Sequence, residues 1–308
     1  TEQAAREAGA EMLLSHPSVS DPTDANGLPW PNPDGKGATF LPFGDLAQAL
    51  DATEPTVWFI DDLGQASPAV QASFMQLILA RRVNGHALPE CVTFVAATNR
   101  RTDRAGVSGI LEPVKSRFTI YELVTHLEDW VEWAVTTGDI APEVVGFLRL
   151  RPDLLHAFTP TADMENSPNP RTWARLSKCL RAGVAHEDEL ATAAGNVGAG
   201  TAGEFIAHLR CAREIPDPDD LIANPEKAPI PTQPSSLYAL TAALAYRANP
   251  KTFKAIYCYA ERLVEAKRAE FGVLLVRDSY RRDKSIAGTP AFAKIQSSEL
   301  GKLILQKD

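Results

Sequence analysis

Two short apolar runs constrain this chain more than any other feature. Residues 56–60 read TVWFI and lead directly into Asp61 and Asp62; residues 92–98 read VTFVAAT and lead into Asn99. Both runs are rich in β-branched and aromatic residues and neither alternates with polar ones. Each therefore predicts a strand buried on both faces of a parallel sheet. Between them, PAVQASFMQLILARR at 68–82 places Val70, Phe74, Leu77 and Ile78 on one helical face, with a proline in the first turn. Asn84-Gly85 then supplies a tight turn. Strand, helix and strand in this order predict an α/β fold. They also send polar side chains to the carboxyl edge of one sheet, where such folds bind ligands.

The remaining segments arrange themselves around that unit. Thr1 to Met12 reads as a helix already under way, so the chain is expected to open mid-domain, and MLLSHP follows as a short strand. DPTDANGLPWPNPDGK at 21–36 concentrates Pro, Gly, Asp and Asn and predicts a loop. A helix is expected from Phe43 to Leu50 and a short strand from Thr119 to Val124. The rest reads as mainly helical, with breaks near 160–170, 195–203 and 215–234. The proline-rich stretch 216–234 reads as a stiff connector. Boundaries near Thr125 and Pro231 divide the chain into an α/β core over 1–125, a helical region over 126–231 and a C-terminal helical region over 232–308. No internal repeat is expected.

Composition narrows the function classes without choosing one. With 308 residues, 44% of them hydrophobic, the chain is long enough to bury a full core. The net charge of -8 is spread through interspersed charges, so no basic face for nucleic acid is legible. Cys91, Cys179, Cys211 and Cys258 lie far apart, without a CxxC pair. They indicate neither a zinc cage nor a disulfide framework and fit a reducing cytoplasm. No apolar run reaches membrane-spanning length and no signal peptide is expected.

Asp61 and Asp62 are the residues on which chemistry is most legible. Magnesium keeps most of its waters and asks for one or two fixed acidic oxygens beside substrate phosphates, which a strand ending in two carboxylates supplies. An Asp pair that only ends a strand and caps the next helix is the plain structural alternative. Other motifs carry less: HEDEL at 186–190 reads as a solvated helix start, GNVGAG at 195–200 and DGKGATF at 34–40 as turns, and Gly106 to Gly109 lacks the spacing of a nucleophile elbow.

Taken in order, VWFIDDLGQASPAVQASFMQLI resembles the Walker B strand and following helix of the AAA+ ATPases, and FVAATNR resembles their first sensor strand. RRVNGHALPECVTFVAATN is similar to the hairpin inserted before that strand in the MoxR-like branch. The resemblance covers Thr1 to about Gly183, and the helical remainder more loosely. It implies an AAA+ nucleotide-binding core followed by a helical lid and a C-terminal helical subdomain. By that match Asp61 holds magnesium and Asp62, where most of the superfamily has Glu, polarises the attacking water. Asn99 orients that water. In LEPVKSRF, Arg117 takes the place of an arginine finger, with Lys115 or Arg104 as substitutes, against the alternative of a surface ion pair. Arg171 in Asn169-Pro170-Arg171-Thr172-Trp173 matches the second sensor, which reaches the γ-phosphate. A helix-start arginine without a ligand is the competing reading.

One family element has no counterpart: the phosphate-binding G-x-x-x-x-G-K-[ST] occurs nowhere in the chain. The family places its first strand centrally, so its absence implies an open sheet edge. Thr1 is then expected to be the hydroxyl residue of a shortened GKT and to contact nucleotide. The resemblance implies ATP and Mg2+ as ligands, assembly into a homo-oligomeric ring, expected to be a hexamer, and remodelling of a protein substrate, with a von Willebrand A-domain protein as the expected partner. The rival readings are a scaffold of the same fold that has lost phosphate binding, and a DNA-directed ATPase, which the acidic balance disfavours. Trp30 is weighed as a residue lining the ring's pore against ordinary packing over a strand.

Overall fold

In the computed structural model, which describes residues 1–103, 106–161, 163–295 and 298–305, the first of two units (Thr1–Glu122) is built on a three-stranded parallel sheet. Helix α1 (Glu2–Glu7) leads into β1 (Glu11–Ser15). Next come α2 (Pro22–Asn26), a hairpin of β2 (Leu28–Pro31) and β3 (Ala38–Leu41), α3 (Gly44–Leu50) and β4 (Thr56–Ile60). Helix α4 (Pro68–Ala80), a small hairpin of β5 (Arg82–Val83) and β6 (His86–Ala87), β7 (Val92–Ala96) and α5 (Glu112–Lys115) complete the unit. The sheet order is β1-β4-β7, with Ser15, Ile60 and Ala96 in register at its carboxyl edge.

The apolar run of β4 lies between β1 and β7 and is largely buried, as expected of it. Trp58 and Ile60 are fully buried, and Trp58 packs edge-on to Phe74 of α4 and beside Phe94 of β7, with ring centroids 6.1 and 5.4 Å away. Its indole nitrogen donates to Ser15 Oγ at 2.8 Å, and that hydroxyl donates in turn to Asp45 of α3. A buried Trp needs such a partner for its N–H. The fold class is α/β.

Several local expectations are corrected. The 21–36 stretch is not one loop: Asp21 and Asp24 form a capping box that starts α2 with Pro22 in its first turn. Gly27, at φ +86, then brings the chain so close to the Leu41 carbonyl that a Cβ would lie 2.7 Å from it, and β2 pairs antiparallel with β3. Closely spaced turn residues here join short elements rather than form one loop. Strand β7 is not buried on both faces. It is the sheet's edge among the described residues, with Val92 buried and Val95 40% exposed. No strand forms over 119–124, although Ile120, Tyr121, Leu123 and Val124 have strand-like character, because nothing described pairs with them; all four side chains are exposed. Asn84 and Gly85, both at positive φ, make the expected tip of the β5–β6 hairpin.

The second unit (Leu123–Asp308) is helical. Around one apolar cluster stand α6 (Leu127–Thr137), α7 (Pro142–Leu150), α8 (Pro170–Arg181), α9 (Glu189–Val197) and α10 (Ala199–Arg213). Its centre is Phe147, Trp173 and Phe205, whose ring centroids lie 5.3–5.7 Å apart. Around another stand α11 (Pro218–Ala223), α12 (Pro234–Tyr246), α13 (Phe253–Glu265), α14 (Ala269–Arg282), α15 (Pro290–Ile295) and α16 (Glu299–Leu305), with Leu240, Phe253 and Tyr259 in the interior. Gly146 lets α7 and α12 close on each other, since a Cβ there would meet Tyr238 O at 3.1 Å.

Arg149 of α7 and Asp278 of α14 form a buried bidentate pair. Burial raises the pKa of nearby Glu128, but Arg149, then Arg277 and Arg281, outweigh it and hold the carboxyl below its ordinary range. The 216–234 connector contains α11, and Glu189 of HEDEL is buried against Arg213 rather than solvated.

One local hydrogen-bond pattern occurs twice in this unit. Asn169-Pro170-Arg171-Thr172-Trp173 opens α8, and Asn249-Pro250-Lys251-Thr252 forms the turn that leads into α13 at Phe253. In both, the Asn Oδ1 accepts from the two backbone N–H groups at the basic residue and the Thr, while the Thr hydroxyl returns to the Asn backbone. The aromatic residue that follows is fully buried in each.

Candidate functional site

The carboxyl edge of the sheet gathers the polar ends of all three strands. The parallel register sets His16, Asp61 and the 97–99 segment side by side just beyond Ser15, Ile60 and Ala96. Asp61 N donates to Ser15 O and Leu63 N to Ala97 O, so the backbone ladder continues past the strands and fixes the spacing.

Asp62 departs from the strand direction, with φ 56 and ψ 35 in the left-handed region. Asp tolerates that region better than most residues, yet such positions cost free energy and cluster at functional sites. The turn that follows runs through Leu63 to Gln65. Gly64 packs closely against the neighbouring strand end, since a Cβ there would lie 2.2 Å from Thr98 Oγ1 and force that side chain to shift.

The side chains of Asp62 and Asn99 meet. Asn99 Nδ2 donates to Asp62 Oδ1 at 3.3 Å, and Gln65 Nε2 donates to the same oxygen at 2.8 Å. Asp61 Oδ1 accepts the backbone N–H of Asp62 at 3.1 Å, and its Oδ2 lies 3.9 Å from His16 Nδ1, beyond hydrogen-bond reach. Its side chain is 37% exposed. One oxygen of Asp61 is thus open, whereas one oxygen of Asp62 is already claimed twice.

That arrangement bears on metal binding. Among the described residues no group of three or more His, Cys, Asp or Glu side chains is placed to hold a metal ion. The edge does not fit a closed all-protein cage. Asp61 fits magnesium that draws its remaining ligands from water and phosphate, and Asp62, bound by two amides, is the poorer ligand of the pair.

Neighbouring loops are pinned to the same edge. Arg100, next to Asn99, is bound by Asp103 and Glu122, which raise its pKa above the ordinary value. Ser108 N donates to Gly64 O, and the buried Gln71 bridges Ala66 O, Gly109 O and Leu111 N. These bonds hold the 108–111 segment ahead of α5.

The other residues singled out from sequence are placed as follows. Arg117 lies just after α5, exposed and without a side-chain partner among the described residues, while Lys115 pairs with Glu112. Arg104 lies outside the described residues. Arg171 is exposed in the first turn of α8 in the second unit, and only its backbone N–H is bound, by Asn169. Thr1 is the N-cap of α1, exposed, with no hydrogen bond from its hydroxyl to the helix. Sequence reasoning missed Gln65 and His16. Gln65 stands three residues after Asp62, the spacing of a side chain returning across a tight turn, and that was the available signal.

No protein-family model matches the chain and no curated protein matches it. Among solved structures, two mutant forms of RuvB from Thermotoga maritima are similar at 18% sequence identity, over 85% of this chain. One is covered over 74% of its own length with a TM-score of 0.36, the other over 73% with 0.37.

Proposed function

We propose that the chain is a magnesium-dependent ATPase module of AAA+ type. The observation that carries this reading is the hydrogen bond between Asn99 and Asp62, which joins the ends of two adjacent parallel strands beside the open carboxylate of Asp61. A water positioned by the Asn99 amide and Asp62 bonds to the γ-phosphorus as the bond to the bridging oxygen breaks. Its proton passes to Asp62, and ADP leaves with the bond's electron pair. Magnesium held by Asp61 together with the phosphates would offset their negative charge. Arg117, exposed and without a side-chain partner among the described residues, suits an arginine supplied to a neighbouring subunit, and Arg171 is assigned to phosphate contact on the sequence resemblance alone. Thr1 is assigned to nucleotide contact on the sequence resemblance alone.

In the finer reading the module is MoxR-like, works in a cytoplasmic homo-oligomeric ring of six, and remodels a protein partner such as a von Willebrand A-domain protein. No helix among the described residues is long and apolar enough to cross a membrane.

A second reading, a scaffold without hydrolysis, is favoured by the absence of G-x-x-x-x-G-K-[ST] from the sequence. The deciding experiment measures magnesium-dependent ATP binding and turnover on the chain and on any longer natural form, with Asp61→Asn, Asn99→Ala and Arg117→Ala as controls. Turnover lost in all three supports the ATPase, and failure of every form to bind nucleotide leaves the scaffold.

A further inference from the structure

We infer that Gln65 is a positioning residue that selects which oxygen of Asp62 faces the reacting water, an inference that rests on the ATPase reading above. A carboxylate is two-fold symmetric about its last torsion, and a short Asp side chain reaches only a small region of space. Asp62 Oδ1 receives Gln65 Nε2 at 2.8 Å and Asn99 Nδ2 at 3.3 Å, so Oδ2 is the oxygen left free of both amides. The shorter bond is the one from Gln65.

The orientation of the Gln65 amide follows from chemistry. Turned over, it would set its carbonyl oxygen against the Asp62 carboxylate, oxygen facing oxygen. As placed, its Oε1 is buried with no hydrogen-bond partner among the described residues. An orphaned buried acceptor is destabilising. A side chain that served only to fill space at this turn would carry no such cost if it were apolar. Gln65 N also donates to Asp62 O at 3.0 Å, so the turn itself holds the amide at this distance from the carboxylate.

Asn99 has been placed against the water, and its hold on Asp62 competes with that task. Gln65 sits on the far side of the tight turn and has only Asp62 as a hydrogen-bond partner for its side chain among the described residues. It therefore fixes the carboxylate while Asn99 remains available to turn.

The test is steady-state hydrolysis of MgATP by the chain carrying Gln65→Met, which keeps the length of the side chain and removes the donor. The expected result is a fall in kcat of about tenfold or more, as for loss of orientation at a reacting group, with KM, MgATP affinity and thermal midpoint unchanged. Gln65→Glu, which keeps the outline but sets a second carboxylate against Asp62, is expected to lower kcat at least as far. Wild-type turnover with kcat retained within twofold in Gln65→Met overturns the positioning role and leaves the ATPase reading intact. A parallel loss of kcat and thermal midpoint in both variants overturns it in favour of a packing role. A wild-type chain that binds MgATP in no assay overturns the ATPase reading and the positioning role together.

Discussion

The starts of α8 and α13 are two copies of one device that differ in the residues it presents. Asn169 and Asn249 make the same pair of caps to the following N–H groups, and Thr172 and Thr252 close the same return bond. Trp173 and Phe253 are both fully buried, while Arg171 stands exposed in the first turn of α8 and Lys251 stands exposed in the turn just before α13. Three of the five residues in the sensor-like motif, Asn169, Pro170 and Thr172, thus serve helix initiation, and a fourth, Trp173, serves the core. The pattern by itself says that a helix starts, and only the identity of the basic residue carries information about a phosphate.

The largest difference between the copies is expected in the buried aromatic. Trp173 touches Phe147 and Phe205 and donates its indole N–H to Leu154 O at 2.8 Å; Phe253 meets Tyr257 and Phe292 at ring distances of 6.2 and 6.1 Å. Truncating a buried Trp or Phe to Ala costs about 3–5 kcal/mol. Trp173→Ala also strands a carbonyl and should lie at the upper end, with Phe253→Ala at the lower. Urea unfolding of the two variants measures this, and a costlier Phe253→Ala would reverse the proposed ranking.

Acid separates the two clusters next. His208 of α10 is buried beside Phe147, with Nδ1 2.8 Å from Ser235 Oγ, whereas no histidine occurs beyond it in the chain. Burial lowers its pKa from 6.5 to about 4, outweighing the backbone of Glu143, which raises it. Below its ordinary pKa the unfolded state binds a proton that the native state refuses. The stabilisation is therefore complete above about pH 6.5 and is lost as pH falls towards 4, by at most about 3 kcal/mol. Unfolding free energies at pH 7 and pH 4.5 should converge in His208→Gln relative to wild type. An unchanged pH slope in that variant would remove His208 as the cause.

How much of this was legible in the sequence depends on whether the determinant is local. Val70, Phe74 and Leu77 share a helix face, and TVWFI is a buried strand; short-range patterns specify both. Asp61, Asp62 and Asn99 were legible because each follows a strand directly. The environment of β7 was not, since burial of a strand depends on its neighbours and VTFVA has the same composition at an edge as in a centre. The 119–124 segment failed for the same reason. Gln65 escaped notice because its role depends on the left-handed turn at Asp62, a conformation that an Asp-Asp-Leu-Gly string does not dictate. The recurring pattern escaped because its third position is Arg or Lys and its fifth Trp or Phe, similar in physics and different in letters.

The caps themselves should behave alike. Asn169→Ala and Asn249→Ala each remove a side chain that accepts from two backbone N–H groups, and each is expected to cost about 1 kcal/mol. Chemical denaturation of the single variants checks the equality. A loss confined to one of them would show that the two hydrogen-bond networks are alike in geometry but not in energy.

The smallest effect on stability, and the sharpest on function, concerns the basic pair. Neither Arg171 nor Lys251 has a side-chain partner among the described residues, and a cation in the first turn of a helix, like Arg171, or just before its start, like Lys251, opposes the helix dipole. Arg171→Ala and Lys251→Ala should therefore leave stability unchanged or raise it by about 0.3 kcal/mol. If Arg171 contacts the γ-phosphate, its removal weakens MgATP binding or slows turnover while Lys251→Ala does neither, because the shared cap and the shared charge are common to both sites. Equal losses would mean that basic charge on this unit acts without regard to position. Titration of both variants with MgATP separates these outcomes, and indifference in both would return Arg171 to the status of its twin, a basic residue on the exposed turn of a well-capped helix.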